Sequence, residues 1–187
     1  MKIKEKLYRT AALLFEKKGY PATSVRDIAE AMQLKPSSLY SHIRHKEEIL
    51  ISICDLVASR FERAIADVVS QDITPLEQLK KVIDFHVQMA FEDPVSITVF
   101  NNEWRHLPSE ELSIFVQRRK EYEAKLSGIL AALGRSHALR PIAHHFILQT
   151  MLSSMLWLHR SFPKHAEGGL SEIQQSMKIF ILKGILL

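Results

Sequence analysis

The sequence predicts an all-α fold, on three observations. Apolar residues recur three and four apart through several long stretches, as the inner face of a helix requires. No stretch alternates apolar and polar residues in the manner of a half-buried strand. Only six glycines and seven prolines occur in 187 residues, and 47% of the chain is apolar, the balance of an ordinary globular protein.

The elements follow in order. Ile3, Leu7, Ala11, Leu14 and Phe15 give a first helix an inner face from about Ile3 to Lys18, and Gly19 suits the left-handed position that ends such a helix. Ser24 is a good N-cap with Asp27 three residues on, so a second helix runs from about Val25 to Met32 and turns Val25, Ile28, Ala29 and Met32 inward. Gln33-Leu34 breaks it. Pro36 opens a third helix to about Ile43, because proline is tolerated in the first turn. Leu39 and Ile43, four apart, face inward there, leaving Ser37, Ser38, Tyr40, Ser41 and His42 outward.

Lys46-Glu47-Glu48 begins a long helix to about Ser70, with a stripe of Ile49, Ile53, Leu56, Val57, Phe61, Ala64, Ile65 and Val68. Acids in its first turn suit the positive end of the helix dipole. Thr74 caps and Pro75 opens the next helix, about 75 to 91, with Leu76, Leu79, Val82, Ile83, Phe85, His86 and Met89 inside. After Asp93-Pro94, a helix of about 95 to 105 carries Ile97, Phe100 and Trp104. Ser109 caps a longer one in which Phe115, Arg118, Arg119, Tyr122, Leu126, Ile129 and Leu130 recur and which Gly134 closes. The last two helices are expected from about Pro141 to Ser161 and from about Ser171 to Leu186. The first is apolar on nearly every side; the second carries Ile173, Met177, Phe180, Ile181 and Gly184. A helix apolar all round must be buried all round, either by a second subunit through a four-helix interface about a two-fold axis or by completing the core of the monomer.

Charge is unevenly placed. Through Lys46 ten basic residues face four acids, a net +6; the remaining residues carry fifteen against seventeen, a net −2. A basic head on a slightly acidic body is the electrostatic footprint of a nucleic-acid binder. Cys54 is the single cysteine, so no intramolecular disulfide forms; it sits on a helix stripe as a small core residue. No signal-peptide pattern opens the chain and no apolar run is long enough to span a membrane, so a cytoplasmic location is expected. The adjacent His144 and His145 point to different sides of a helix. HExxH, CxxC and glycine-rich phosphate loops are missing from the sequence, so catalytic residues, cofactors and a metal site are not expected.

Within the basic head, two short helices, a tight turn and a polar second helix fit a helix-turn-helix reader of the major groove of double-stranded DNA, the alternative being an ordinary helical hairpin in an all-helical core. Small hydroxyl side chains at a helix N-terminus let the backbone approach phosphates and base edges. The expected DNA-binding residues are Ser24, Arg26, Lys35, Pro36, Ser37, Ser38, Tyr40, Ser41, His42 and Lys46. Tyr40, Lys46 and caps at Ser24 and Ser38 would hold phosphates; Ser37, Ser41 and His42 would face bases.

With its flanks, this stretch resembles the N-terminal domain of the TetR family of bacterial transcriptional repressors. Ala11-Ala12, Leu14-Phe15, Lys18-Gly19-Tyr20, Thr23-Ser24-Val25, Asp27-Ile28-Ala29, Leu39-Tyr40 and Lys46-Glu47 carry the likeness over Leu7 to Leu50. Gln33 stands where the family usually has glycine, and Ile43 where it usually has phenylalanine. The resemblance implies a helix-turn-helix domain over 1–46 and a ligand-binding and dimerisation domain over 47–187. It implies a homodimer on a near-palindromic operator, released by a small effector.

Phe85, Met89, Phe100, Trp104, Phe115, Tyr122, Met151, Met155 and Trp157 are the bulky residues of the inner helices, suited either to lining an apolar cavity or to filling an ordinary core. Phe100 to Leu107, Arg118-Arg119 with Tyr122, Trp157, Leu170 to Ile173 and Gly184 also resemble the C-terminal domain of a TetR subgroup that senses acyl-CoA thioesters. That resemblance implies cations for the CoA phosphates, and Arg118, Arg119 and Arg105 are the candidates; the alternative for them is surface pairing with Glu103, Glu121 or Glu123. Two other functions remain open at this point: a helical acyl-thioester sensor or carrier without DNA, and an activator using the same head.

Overall fold

The computed structural model describes residues 3–158 and 169–187. The described residues form nine α-helices: α1 Ile3–Lys18, α2 Val25–Ala31, α3 Pro36–Leu39, α4 Glu47–Ser70, α5 Pro75–Glu92, α6 Pro94–Glu103, α7 Ser109–Ser136, α8 His144–Leu156 and α9 Gly169–Ile185. One 3-10 turn, Trp104–His106, follows α6. Among the described residues there is no strand, only an isolated antiparallel bridge between Leu139 and Leu186. The chain is all-α, as the periodicity predicts.

The starts are written in cap chemistry. Ser24 and Thr74 each form a complete capping box, with Asp27 and Glu77 three residues on. Gly19 ends α1 at φ +84 and its N–H reaches the Phe15 carbonyl at 2.8 Å. Several expected boundaries move. α3 stops at Leu39 rather than Ile43. Its serines favour local bonds over a continuing helix, and Ser41 Oγ donates to the Ser38 carbonyl at 2.7 Å. α7 passes through Gly134 to Ser136 instead of closing there. The missing side chain at Gly134 serves packing: a Cβ would stand 3.0 Å from Leu139 Cδ1. α8 begins at His144 rather than Pro141. The preceding backbone is taken up by the C-terminus, through Arg140 N–H to the Ile185 carbonyl at 2.9 Å and Leu187 N–H to the Ala138 carbonyl at 3.0 Å. The expected end of that helix, 159–161, lies outside the described residues.

The chain divides into two compact units. The first comprises Met1–Ala58 and Val95–Gln117, so it contains all of 1–46 together with the start of α4, α6 and the start of α7. Its core holds Leu7, Phe15, Ile28, Leu39, Ile49 and Leu50 away from water, joined by Val99, Leu107 and Phe115. Each such side chain contributes about 1.5–3 kcal/mol by leaving water. Ile3 and Leu56, expected inside, are exposed: Ile3 occupies the first turn of α1, where the stripe has run past the core.

The second unit comprises Ser59–Pro94 and Arg118–Leu187. Ile65, Leu79, Ile83, Leu126, Leu130, Ile147 and Met151 lie in its core. α9 packs along α5, where Lys178 Nζ pairs with Asp84 at 2.9 Å and Gln174 donates to the Asp84 carbonyl at 3.1 Å. No helix among the described residues is long and apolar enough to cross a membrane.

Candidate functional site

In the first unit, α2 is fastened at its start. Ser24 Oγ accepts from Asp27 N–H at 3.1 Å, and the Asp27 carboxylate accepts from Ser24 N–H at 2.7 Å and pairs with Lys18 at 3.3 Å. The Ser24 hydroxyl and N–H, with Lys18 beyond them, hold the Asp27 pKa down at about 2. At the other end Met32 caps the helix. Gln33 N–H donates to the Glu30 carbonyl and Leu34 N–H to the Ala29 carbonyl, both at 2.9 Å. This pair of bonds is a Schellman motif, and its left-handed residue is Gln33, at φ 58. The tight turn predicted at Gln33-Leu34 is therefore present, built on a residue with a side chain.

Lys35 then runs extended and Pro36 begins α3. Leu39 is wholly buried and Ile43 nearly so, while Ser37, Ser38, Tyr40, Ser41 and His42 are exposed, Tyr40 by 56%. This is the inward and outward division the spacing predicts. Arg26, Lys35 and Arg44 are exposed around the same face. Ser38 departs from its expected role: it is the third residue of α3, not its cap. The N-cap is Lys35, which makes no side-chain cap bond.

Lys46 also departs. Its ammonium donates to the Tyr20 and Thr23 carbonyls, each at 2.8 Å, and lies 4.0 Å over the Tyr20 ring. Burial lowers its pKa. A cation so engaged holds the α1–α2 corner against the root of α4. Tyr20, Thr23 and Glu103 share that corner. Thr23 Oγ1 donates to the Gly19 carbonyl at 2.9 Å, and Tyr20 N–H donates to Glu103 Oε2 at 3.2 Å. The Tyr20 ring meets Phe15 edge-on and stacks on His106. Its hydroxyl is buried without a hydrogen-bond partner among the described residues, and burial with Glu47 nearby pushes its pKa up to about 12. Gly19-Tyr20 and Lys46 stood out in the sequence, but nothing local signals Glu103, 83 residues from Tyr20.

The residues expected around an effector fall in both units. Phe100, Trp104 and Phe115 form one stack in the first, with ring centroids 5.1 and 5.5 Å apart. Phe85, Met89, Tyr122, Met151 and Met155 belong to the second. Trp157, expected on an inner face, caps α8 and is 60% exposed. Arg119 pairs with Glu123 one turn on at 2.9 Å, and Arg105 lies 4.3 Å over the Trp104 ring. Arg118 is engaged from α4: its Nη2 reaches Glu62 Oε2 at 2.8 Å and Ser59 Oγ at 2.9 Å, and its Nε reaches Glu62 Oε1 at 2.5 Å. A bidentate carboxylate already fills the fork that a phosphate would need.

In the second unit sequence reasoning placed His86 on an inner face without a role. Its Nε2 lies 2.7 Å from the Tyr122 hydroxyl. Phe61 touches both rings and Phe85 as well. Burial lowers the His86 pKa to about 3, so the imidazole is neutral, and burial raises that of Tyr122.

An exposed polar helix-turn-helix face, within a first 46 residues that carry a net +6, defines a helix-turn-helix transcriptional regulator. Residues 7–53 match the family model for bacterial regulatory proteins of the tetR family, and residues 72–185 match the tetracyclin repressor-like C-terminal domain. The chain belongs to the TetR family of bacterial transcriptional regulators. It is 25% identical to the HTH-type transcriptional repressor KstR2 of Mycobacterium tuberculosis over 189 residues, covering 96% of this chain and 90% of that one. The solved structure of the M. tuberculosis ketosteroid transcriptional regulator KstR2 superposes with a TM-score of 0.90 at 21% identity, over 98% and 95% of the two chains. AibR, solved in complex with isovaleryl coenzyme A and operator DNA, superposes with a TM-score of 0.81 at 22% identity, over 95% and 96%. The curated relatives are transcriptional regulators and not enzymes, and the same holds for this family member.

Proposed function

We propose that this protein is a ligand-responsive repressor that binds a near-palindromic operator as a homodimer and is released by an acyl-CoA thioester. The observation that carries the DNA half is the polar face of Ser37, Ser38, Tyr40, Ser41 and His42, held outward by buried Leu39 and Ile43. Ser37, Ser41 and His42 read base edges. Tyr40, Arg26, Lys35 and the backbone N–H groups of α3 meet phosphates, and Lys46 braces the α1–α2 corner against α4. Two such heads occupy successive major grooves about 34–36 Å apart.

Support for the homodimer comes from α8 and α9. Phe146 and Phe180 are 62% and 67% exposed, and with Thr150, Ser154 and Gly184 they line a groove between these helices. Large side chains left in water along one groove mark an association surface. An effector that releases DNA must bind one conformer of the protein better than another, and the conformer it favours is one whose heads miss the half-site spacing. The regulator acts where its operator lies, in the cytoplasm. The thioester reading rests on the C-terminal resemblance and on a neighbour solved with isovaleryl coenzyme A.

The test is selection of binding sites from random duplex DNA with the purified protein, repeated with a panel of acyl-CoA thioesters and free acids. A two-fold symmetric site released by a thioester is expected. A symmetric site that no panel member releases would remove the thioester, and no enriched site would favour a carrier without DNA.

A further inference from the structure

We infer that the His86–Tyr122 pair is the polar anchor of the effector site, and that it recognises a neutral carbonyl oxygen through the Tyr122 hydroxyl. The inference rests on the effector reading above and specifies the chemistry of its recognition.

Four observations lead to it. First, the pair is a buried polar island. His86 is 5% exposed, its Nε2 is 2.7 Å from Tyr122 Oη, and the Phe61 ring packs at 4.7 Å from His86 and 5.9 Å from Tyr122. Two apolar side chains of the same size would fill this space without the desolvation penalty of an imidazole and a phenol. Second, Phe85 and Tyr122 are partly exposed, whereas His86, which meets Phe61 of α4 and Tyr122 of α7, is buried. Third, the imidazole is neutral and carries one proton, which either nitrogen can hold. With Nε2 as acceptor, the Tyr122 hydroxyl donates to it. With Nε2 protonated, His86 donates to Tyr122 Oη and the phenolic proton is released to point at a ligand. The pair can therefore satisfy itself when empty and offer a directed donor when occupied. Fourth, the cation one turn before Tyr122 on the same helix, Arg118, is already held by Glu62 and Ser59. An anionic carboxylate would meet an uncharged donor there, whereas a thioester or ketone carbonyl needs only that donor.

The test uses the full-length protein with its selected operator. Release of DNA is titrated with acyl-CoA thioesters and with the matching S-alkyl-CoA thioethers, which keep the chain and the CoA but lack the carbonyl. The wild type is expected to respond to thioester at about ten- to hundredfold lower concentration than to thioether, the range for leaving one buried donor unmatched. Tyr122→Phe keeps the ring and removes the donor; it should bind operator normally and respond to both ligands alike. His86→Gln, which retains a donor to the Tyr122 oxygen, should restore part of the preference relative to His86→Leu. A thioester preference that survives Tyr122→Phe unchanged would overturn the assignment while leaving the thioester reading intact. Release by no thioester at all would overturn both. If Tyr122→Phe lowers stability without moving the thioester-to-thioether ratio, the pair is part of the core only and the assignment falls.

Discussion

Gln33 offers a sharp test of the helix-turn-helix geometry. It holds φ 58 at the left-handed position of the Schellman motif that ends α2, and it is exposed. A left-handed backbone costs a residue with a Cβ about 1–2 kcal/mol. Glycine avoids that strain but loses about 0.5–1 kcal/mol more to backbone entropy on folding. The exposed Gln33 side chain buries little, so Gln33→Gly should stabilise the first unit by about 0.5–1 kcal/mol on balance. Gln33→Ala keeps the Cβ and should gain nothing. Two tryptophans, one in each unit, make the measurement local. In a Trp157→Phe background the remaining Trp104 reports on the first unit, and urea titrations at fixed protein concentration compare the three variants. An unchanged or lowered midpoint for Gln33→Gly, at unchanged slope, would refute the view that this turn is strained. So would equal gains from alanine and glycine.

Further outcomes follow from the same corner and from the second unit. Lys46→Met should weaken binding to every DNA sequence, yet leave the salt dependence of binding unchanged, because its ammonium is spent on two carbonyls; a slope reduced by about one in log K against log salt would restore it as a phosphate contact. Ser24→Ala removes the side-chain half of a capping box, leaving the Ser24 N–H to Asp27 bond, and should cost about 1 kcal/mol, read as a lower urea midpoint for Trp104. His86 stays neutral in the fold near a pKa of about 3 but takes a proton near 6.5 when unfolded, so it withdraws stability progressively as pH falls from 6.5 towards 3. His86→Leu should flatten the unfolding free energy across that window, and an equally steep profile would show that other groups dominate. Phe180→Asp should shift the protein from dimer to monomer in sedimentation and abolish binding to a full operator; a dimer that persists would move the interface away from the α8–α9 groove.

Local chemistry determined much of this protein. Ser24-Asp27, Thr74-Pro75-Glu77 and Gly19 act on neighbours within four residues, so their helix ends could be read directly, and helical spacing alone told which of Leu39, Ile43 and the serines face the core. The family likeness of the head also lies in contiguous residues. What sequence could not decide depends on partners far along the chain. Lys46 looks like a surface cation until the fold sets the Tyr20 and Thr23 carbonyls around it. Arg118 looks like an anion site until α4 brings Glu62 and Ser59 against it. Gly134 looks like a helix end until Leu139 returns to pack on it. His86 is a polar interruption on an apolar face until Tyr122, 36 residues away, supplies the hydrogen bond. The physical reason is common to all four. A side chain's apolar face follows from periodicity, but the occupant of its hydrogen-bonding atoms follows from which helices pack together, and only the tertiary structure makes that choice.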